Sequence, residues 1–238
     1  MSNRAVVLAG GRGTRLRPYT VVFPKPLMPL GDYPILEVIV RQLANHGFDR
    51  ITLAVNHQAD LIKAFFGTGE RWKVHIDYSL ETKPLSTIAP LCLIPDLPQT
   101  FLLMNGDVLT DLGLRELHDG HVRSGGVFTV AASSRTHTVD YGVLHTDPAG
   151  KLVGFEEKPT LRYLVSMGVY IVDRSVLSLV PPDRPFGFDD LMHALIARGD
   201  RVNVRPYDGY WLDLGRPDDY AQAVEEFERR RGDLLRHE

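Results

Sequence analysis

A five-residue apolar run, Ala5-Val-Val-Leu-Ala9, opens directly into Gly10-Gly-Arg-Gly13, and this junction constrains the fold more than any other feature of the chain. A run so short, with β-branched residues and a glycine stop, reads as a buried strand and is far below the length of a membrane span. Glycines after a strand let the backbone turn sharply and aim N–H groups at an anion. In an open α/β sheet such loops sit at the carboxyl ends of the strands, where ligands bind.

The charge pattern sharpens this expectation. Residues 1–30 hold Arg4, Arg12, Arg15, Arg17 and Lys25 and no acid, so they carry +5 while the remainder carries −8 of a net −3. A basic arm for nucleic acid is ordinarily polar and disordered, whereas this segment is interrupted by strand-like and Pro-rich apolar sequence. Its charge therefore belongs to a folded site, and the pI near 6.3 gives no support for a general nucleic-acid binder. With 238 residues the chain can bury a sizeable core without staples. Its single cysteine, Cys92, cannot form an internal disulfide, which fits a reducing, cytoplasmic compartment. No signal peptide or membrane segment is expected.

Short β-rich runs alternate with helical spacing in the N-terminal half: strands over Arg4–Ala9, Ile51–Val55, Val74–Tyr78 and Phe101–Met104, helices over Ile35–Asn45 and Leu61–Phe66. Beyond residue 125 the pattern turns to strands, at Gly126–Ala132, Tyr141–His145, Leu152–Phe155 and Val165–Val172, before helices return at Phe188–Ala197 and Pro217–Arg230. This rhythm predicts an α/β fold, a Rossmann-like mixed but mainly parallel sheet flanked by helices. One domain over 1–238 is expected, with a core in 1–125 and a more mixed part in 126–238 that completes the sheet, a pocket and a closing helix. Gly10, Asp107 and Asp213 all follow strand-like runs, which places them at the ligand edge.

Two familiar phosphate loops do not fit the glycines. No Lys-Ser or Lys-Thr follows them, as a P-loop requires, and the dinucleotide pattern fails because Leu16 stands where its third glycine belongs. That second failure also removes an NAD-dependent oxidoreductase. Arg15 and then Lys25, held between Pro24 and Pro26, follow instead. Proline on either side restricts the backbone that carries the ammonium. A guanidinium fork and an ammonium point charge together suit a polyphosphate; the alternative is a solvated basic loop on a rigid connector. Asp107, after a tight Asn-Gly turn, and Asp213, before a helix, are hard-oxygen candidates for Mg²⁺. A turn aspartate and a helix cap are the alternatives, and the sequence does not show that the two converge.

The pattern Leu8-Ala-Gly-Gly-Arg-Gly-Thr-Arg-Leu-Arg-Pro18 with Phe23-Pro-Lys-Pro26 closely resembles the sugar-1-phosphate nucleotidyltransferases, and guanylyltransferases for mannose or manno-heptose 1-phosphate in particular. Asn105-Gly-Asp-Val108, Tyr141-Gly-Val143, Phe155-Glu-Glu-Lys-Pro159, Met167-Gly-Val-Tyr170 and Trp211-Leu-Asp-Leu-Gly215 resemble later motifs of that family in their usual order, so the likeness spans nearly the whole chain. The resemblance implies nucleotidyl transfer from a nucleoside triphosphate to a sugar 1-phosphate with release of pyrophosphate. It implies Mg²⁺ on Asp107 and Asp213, and catalysis by Arg15, Lys25 and Asp107. It further implies nucleotide contacts from Leu8, Gly10, Gly11, Gly13, Thr14, Arg15, Lys25, Pro84, Ser86 and Thr87, and sugar-phosphate contacts from Gly142, Glu157, Lys158 and Ser166. GTP with a mannose- or heptose-type 1-phosphate is the expected pair; thymidylyl or uridylyl transfer to glucose 1-phosphate and a noncatalytic nucleotide-sugar sensor are the alternatives.

Two departures from the family pattern stand out. A loop that commonly carries Gly-Thr-Ala-Gly reads Ser86-Thr-Ile-Ala89, so any positive φ there would fall on a residue with a side chain. Ser166 and Met167 replace an asparagine and a small residue, which predicts an altered sugar preference. Tyr170 and Cys92 are expected in the core, His57 and His118 as capping or solvated helix residues, and Glu225–Arg231 as a solvated helix face. No β-helix domain is expected, hence no acyl transfer, and a homodimer is the default assembly.

Overall fold

The structure, a computed structural model, describes residues 3–11, 13–56 and 58–235. Arg12 and His57, expected as a loop cation and a helix residue, lie outside them. The chain runs β1 (Arg4–Leu8), the short pair β2 (Pro29–Leu30) and β3 (Tyr33–Pro34), α1 (Ile35–Asn45), β4 (Arg50–Val55), α2 (Ala59–Phe66) and β5 (His75–Leu80). It continues through β6 (Thr100–Asn105), β7 (Val108–Thr110), α3 (Leu114–Ser124), β8 (Phe128–Thr138), β9 (Val143–Thr146) and β10 (Leu152–Glu156). Last come β11 (Thr160–Asp173), α4 (Phe188–Arg198), β12 (Val202–Tyr207), β13 (Trp211–Asp213) and α5 (Pro217–Leu234).

Seven strands form one sheet in the order β12-β8-β11-β6-β1-β4-β5. Pairing is parallel except along β11, which runs antiparallel to both β6 and β8. The mixed, mainly parallel, helix-flanked sheet is therefore the observed fold. Its central strands are apolar on both faces because both faces are covered. Ala5 and Val7 join Leu102 and Met104 in the core toward α1 and α5, while Val6, Leu103 and Phe101 join the core toward α4. Of the strands in 126–173, β8 and β11 enter this same sheet, so the two parts share one hydrophobic frame.

Several elements escaped the sequence pattern for physical reasons. Only Leu114, Leu117 and His121 of α3 are buried, so a histidine stands where helical periodicity looks for an apolar residue. In β12 the sequence contains Pro206, which a sheet tolerates on an edge strand such as this one. Strands β8 and β11 run past the sheet as an exposed two-stranded arm, Thr138 opposite Thr160, and β9 pairs with β10 in a separate hairpin. Because solvent wets the arm, its residues carry no alternating burial that marks where the strands end. Cys92 corrects the expectation of a core residue: it is exposed on a 3₁₀ turn, Ala89–Leu93, whose inward positions are Ala89, Pro90 and Leu91. His118 packs edge-on to Phe48 rather than facing solvent. Tyr170 is buried as expected, and along α5 Ala223 and Phe227 point in while Glu225, Glu228 and Arg229 face outward. Glu226, Arg230 and Arg231 of the expected solvated face are half-buried, the two arginines over the Tyr210 and Tyr33 rings.

Candidate active site

The glycine-rich loop is shaped around Gly13. Its φ is +58°, and a Cβ there would lie 2.8 Å from Thr20 Cγ2 and 3.1 Å from Lys25 Cβ, so only glycine fits. The Thr20 hydroxyl donates to the Gly13 carbonyl at 2.7 Å and ties the loop to the segment that brings in Lys25. Between them Thr14–Leu16 forms a 3₁₀ turn anchored by the fully buried Leu16, which leaves Thr14 and Arg15 facing out. Lys25 starts a second such turn: the Leu27 N–H donates to the Pro24 carbonyl at 2.8 Å and the Met28 N–H to the Lys25 carbonyl at 3.0 Å. This stiffened frame holds the lysine nearly buried, 7% exposed, with its ammonium paired to the Asp107 carboxylate.

Asp107 sits just past the carboxyl end of β6. The Gly106 N–H donates to the Leu8 carbonyl at 2.9 Å, and a Cβ on Gly106 would come within 2.8 Å of that same oxygen. The close approach seats Asp107 against the glycine loop. Asp213 arrives from far down the sequence on the ribbon of β7 and β13, where it pairs with Val108, and the Leu214 N–H donates to the Asp107 carbonyl at 2.9 Å. The two carboxylates are thus neighbours. Partial burial pushes the Asp213 carboxyl above its ordinary range, the Asp107 charge pushes it further, and Lys25 and Arg15 pull it back. A Cβ on Gly215 would meet the Arg15 guanidinium at 3.0 Å and Asp213 Oδ1 at 3.1 Å, so Arg15 lies along this segment. Arg15, Lys25, Asp107 and Asp213 form one cluster. The cap reading of Asp213 fails, because Arg216 occupies the N-cap of α5 and makes no side-chain cap.

A cavity of about 430 Å³ opens beside the cluster, between Leu8, Gly10 and Gly11 on one wall and Pro84, Ser86 and Thr87 on the other, with Asp107 at its edge. Asn56, Glu81 and Asn105 also face it, and sequence reasoning passed over all three as contacts. For Glu81 a signal existed, since this acid stands five residues before Ser86 in the segment Glu81-Thr-Lys-Pro-Leu85 that leads into the loop. Its carboxylate accepts the Leu85 N–H and, at 3.2 Å, the Asn56 amide, so it braces the loop against β4. The loop is also fastened to the segment before α4. The Phe186 N–H donates to the Leu85 carbonyl at 3.0 Å, and the Ile88 and Ala89 N–H groups donate to the Phe186 carbonyl at 3.0 and 3.1 Å. Thr87 uses its hydroxyl to accept the Phe188 N–H at 2.8 Å, so part of its role is to cap α4. Of the two substituted glycine positions, Ser86 does take a positive φ, +70°, whereas Ala89 does not.

The expected sugar-side residues are more dispersed. The Ser166 hydroxyl donates to the Tyr170 hydroxyl at 3.0 Å and accepts the Gly168 N–H at 3.3 Å, at an irregularity of β11 beside Asn105. Met167 turns its side chain into the core, so it does not narrow the site as its bulk suggested. Its carbonyl accepts the Trp211 indole N–H at 2.9 Å, which links Ser166 to the Asp213 ribbon, and Arg135 lies 4.6 Å above the Trp211 ring. Gly142, Glu157 and Lys158 stand at the open end of the β9–β10 hairpin. A Cβ on Gly142 would meet the Phe155 ring at 2.6 Å and Glu157 Oε2 at 3.2 Å, so these residues share one spot. Lys158 has φ +45° and is exposed. Among the described residues, the polar side-chain contacts of the Asp107 cluster run between its own members and do not reach these three.

Comparison with known proteins falls along the same lines. A family model described as nucleotidyl transferase matches residues 4–230. A UTP–glucose-1-phosphate uridylyltransferase of Synechocystis is 33% identical, covering 93% of this chain and 62% of its own length. A mannose-1-phosphate guanyltransferase of Yarrowia lipolytica is 32% identical, again over 93% of this chain and 63% of its own. The chain thus spans under two thirds of these relatives. Among solved structures, HddC from Yersinia pseudotuberculosis superposes with a TM-score of 0.74 at 25% identity, over 94% of this chain and 99% of that one.

Proposed function

The chain belongs to the nucleotidyl transferase family, and from that premise we propose that it transfers a nucleotidyl group from a nucleoside triphosphate to a sugar 1-phosphate and releases pyrophosphate. The observation that carries the proposal is the convergence of Arg15, Lys25, Asp107 and Asp213 at the mouth of a cavity walled by glycine backbone. The sugar phosphate is already anionic near neutral pH, so its oxygen attacks the α-phosphorus without a strong general base. The bond from the α-phosphorus to its bridging oxygen breaks, and pyrophosphate takes the electron pair. Catalysis is then positioning and charge neutralisation. The loop N–H groups of Gly10 and Gly11 and the side chains of Arg15 and Lys25 receive the triphosphate. Gly142, Glu157, Lys158 and Ser166 hold the sugar phosphate.

Asp107 and Asp213 fit Mg²⁺: both are hard oxygen donors, and a cation held by them would offset the burial and the Asp107 charge that together raise the Asp213 carboxyl. When bound there, the ion would supply charge neutralisation on the substrate phosphates.

Our reading of the base is guanine, because Glu81 presents a carboxylate to the cavity. Guanine offers adjacent N1–H and N2–H donors that one carboxylate accepts in parallel, much as it accepts an arginine fork. Uracil and thymine offer a single N–H between two carbonyls, which a carboxylate repels. The mannose- or heptose-type sugar rests on family likeness, with uridylyl or thymidylyl transfer to glucose 1-phosphate as the alternative; the reading includes a cytoplasmic enzyme. The test is pyrophosphate release over all nucleoside triphosphates and a panel of sugar 1-phosphates with Mg²⁺. Turnover led by GTP is expected, turnover led by UTP or dTTP would overturn the base reading, and no turnover by folded protein would favour a nucleotide-sugar sensor.

A further inference from the structure

Resting on that function, we infer that Arg216 is the cation that receives the pyrophosphate half of the triphosphate, in the cleft on the α5 side of Asp213. The charges already placed leave this need open. Arg15 and Lys25 face Asp107 and Asp213, so the four groups cancel. A triphosphate with about four negative charges and a sugar phosphate with about two then require cations beyond one divalent ion. Arg216 is exposed; its carbonyl accepts the Tyr220 N–H at 3.0 Å, while its guanidinium has no hydrogen bond or ion pair among the described residues. It lines a cleft of about 880 Å³ together with Arg15 and Asp213.

Its backbone is fixed from both directions. Leu214 is fully buried and bonded to Asp107, Arg15 lies along Gly215, and Pro217 starts α5. Arg216 thus directly follows Gly215, the residue the triphosphate-binding guanidinium of Arg15 lies against, and both arginines line the cleft. The nucleoside cavity opens from Asp107 toward Ser86 and Thr87, whereas this cleft opens from Asp213 toward α5. A nucleotide whose base fills the cavity sends its phosphates toward Asp107 and Arg15, and Arg216 meets the end beyond them. Arg135 and Trp211 occupy the sugar side of the same cleft. As the bond to the bridging oxygen breaks, the electron pair and its negative charge pass to the pyrophosphate, where a guanidinium fork is suited to accept them.

The reverse reaction, NDP-sugar plus pyrophosphate giving nucleoside triphosphate and sugar 1-phosphate, isolates this contact. Arg216→Ala is expected to raise KM for pyrophosphate at least tenfold and leave KM for the NDP-sugar within twofold, with partial recovery in Arg216→Lys. An unchanged pyrophosphate KM, or a defect confined to sugar 1-phosphate in the forward direction, would overturn the inference. If the wild-type protein turns over no NDP-sugar, the functional reading falls, and titration calorimetry with magnesium pyrophosphate judges Arg216 separately. Binding at least tenfold weaker in Arg216→Ala supports it; equal affinities, or no binding by the wild type, overturn it.

Discussion

Replacing Asp107 with asparagine separates the fold from the chemistry more cleanly than any other change at this site. The amide keeps the shape of the carboxylate and can still accept a hydrogen bond from Lys25, but it surrenders the charge. Removing one partner of a fully buried ion pair costs about 3–5 kcal/mol, whereas exposed pairs contribute about 0–1 kcal/mol. Here the lysine side chain is 8% exposed and the aspartate 26%, which puts the expected loss between these limits, at about 1–2 kcal/mol. For a chain of this size each kcal/mol lowers Tm by about 2–4 °C, so the variant remains folded at 25 °C. Loss of a preorganised charge acting on the reacting phosphate costs about 2.7–4 kcal/mol of transition-state stabilisation, or roughly 10²–10³ in kcat. The assay is pyrophosphate release beside thermal unfolding of the same preparations. Asp213→Asn makes the comparison sharper. Burial and the Asp107 charge disfavour the ionised Asp213 carboxyl, so its neutralisation should leave Tm unchanged or raised while activity falls as far. A kcat/KM within tenfold of wild type in folded Asp107→Asn would refute the assignment.

Other outcomes follow from the same structure. Glu81→Gln should lower the kcat/KM ratio of GTP to UTP at least tenfold, and an unaltered ratio with a normal Tm would detach Glu81 from the base. Ser86→Gly should relieve the left-handed strain at φ +70°, partly offset by glycine's greater unfolded-state entropy, for a net gain of up to about 1 kcal/mol; a lower Tm would contradict this. The buried His121 bonds Thr129 at 2.8 Å, and burial first, then His118, holds its pKa below the ordinary 6.5, against the opposing pull of Asp173. The unfolded chain therefore takes up a proton there before the folded one does, so stability is flat above about pH 6.5 and falls as the pH drops toward the folded pKa. His121→Gln should show a smaller loss of unfolding free energy between pH 7.5 and pH 5.5, measured in urea; equal losses would refute the linkage.

What the sequence disclosed, and what it withheld, divides along physical lines. Strands β1, β4 and β6 were legible because a strand covered on both faces must be apolar along its length, a requirement each satisfies within its own residues. The glycine loop and Lys25 were legible for a related reason: the positive φ of Gly13 and the proline-framed turn are local demands on residue type. The meeting of Asp107 with Asp213 is a different kind of fact. It depends on β7 and β13, three residues each, too short for periodicity to register, and on one backbone bond from Leu214 to Asp107. Neither aspartate could be distinguished from a turn or capping residue until that ribbon was seen. Glu81, half-buried, and Arg216, exposed, escaped notice because a charge at the surface obeys no burial pattern, and only the walls around it give it a role. Met167 differs in kind: it marked an expected change of sugar preference, yet the strand's alternation sends its side chain into the core and leaves only its carbonyl for Trp211. Local chemistry thus announces the residues that shape backbone. Which charged residues act together is decided by pairings between strands distant in sequence, so a single change at the ribbon, with every site residue unsubstituted, should separate the two carboxylates and abolish the proposed pyrophosphate release.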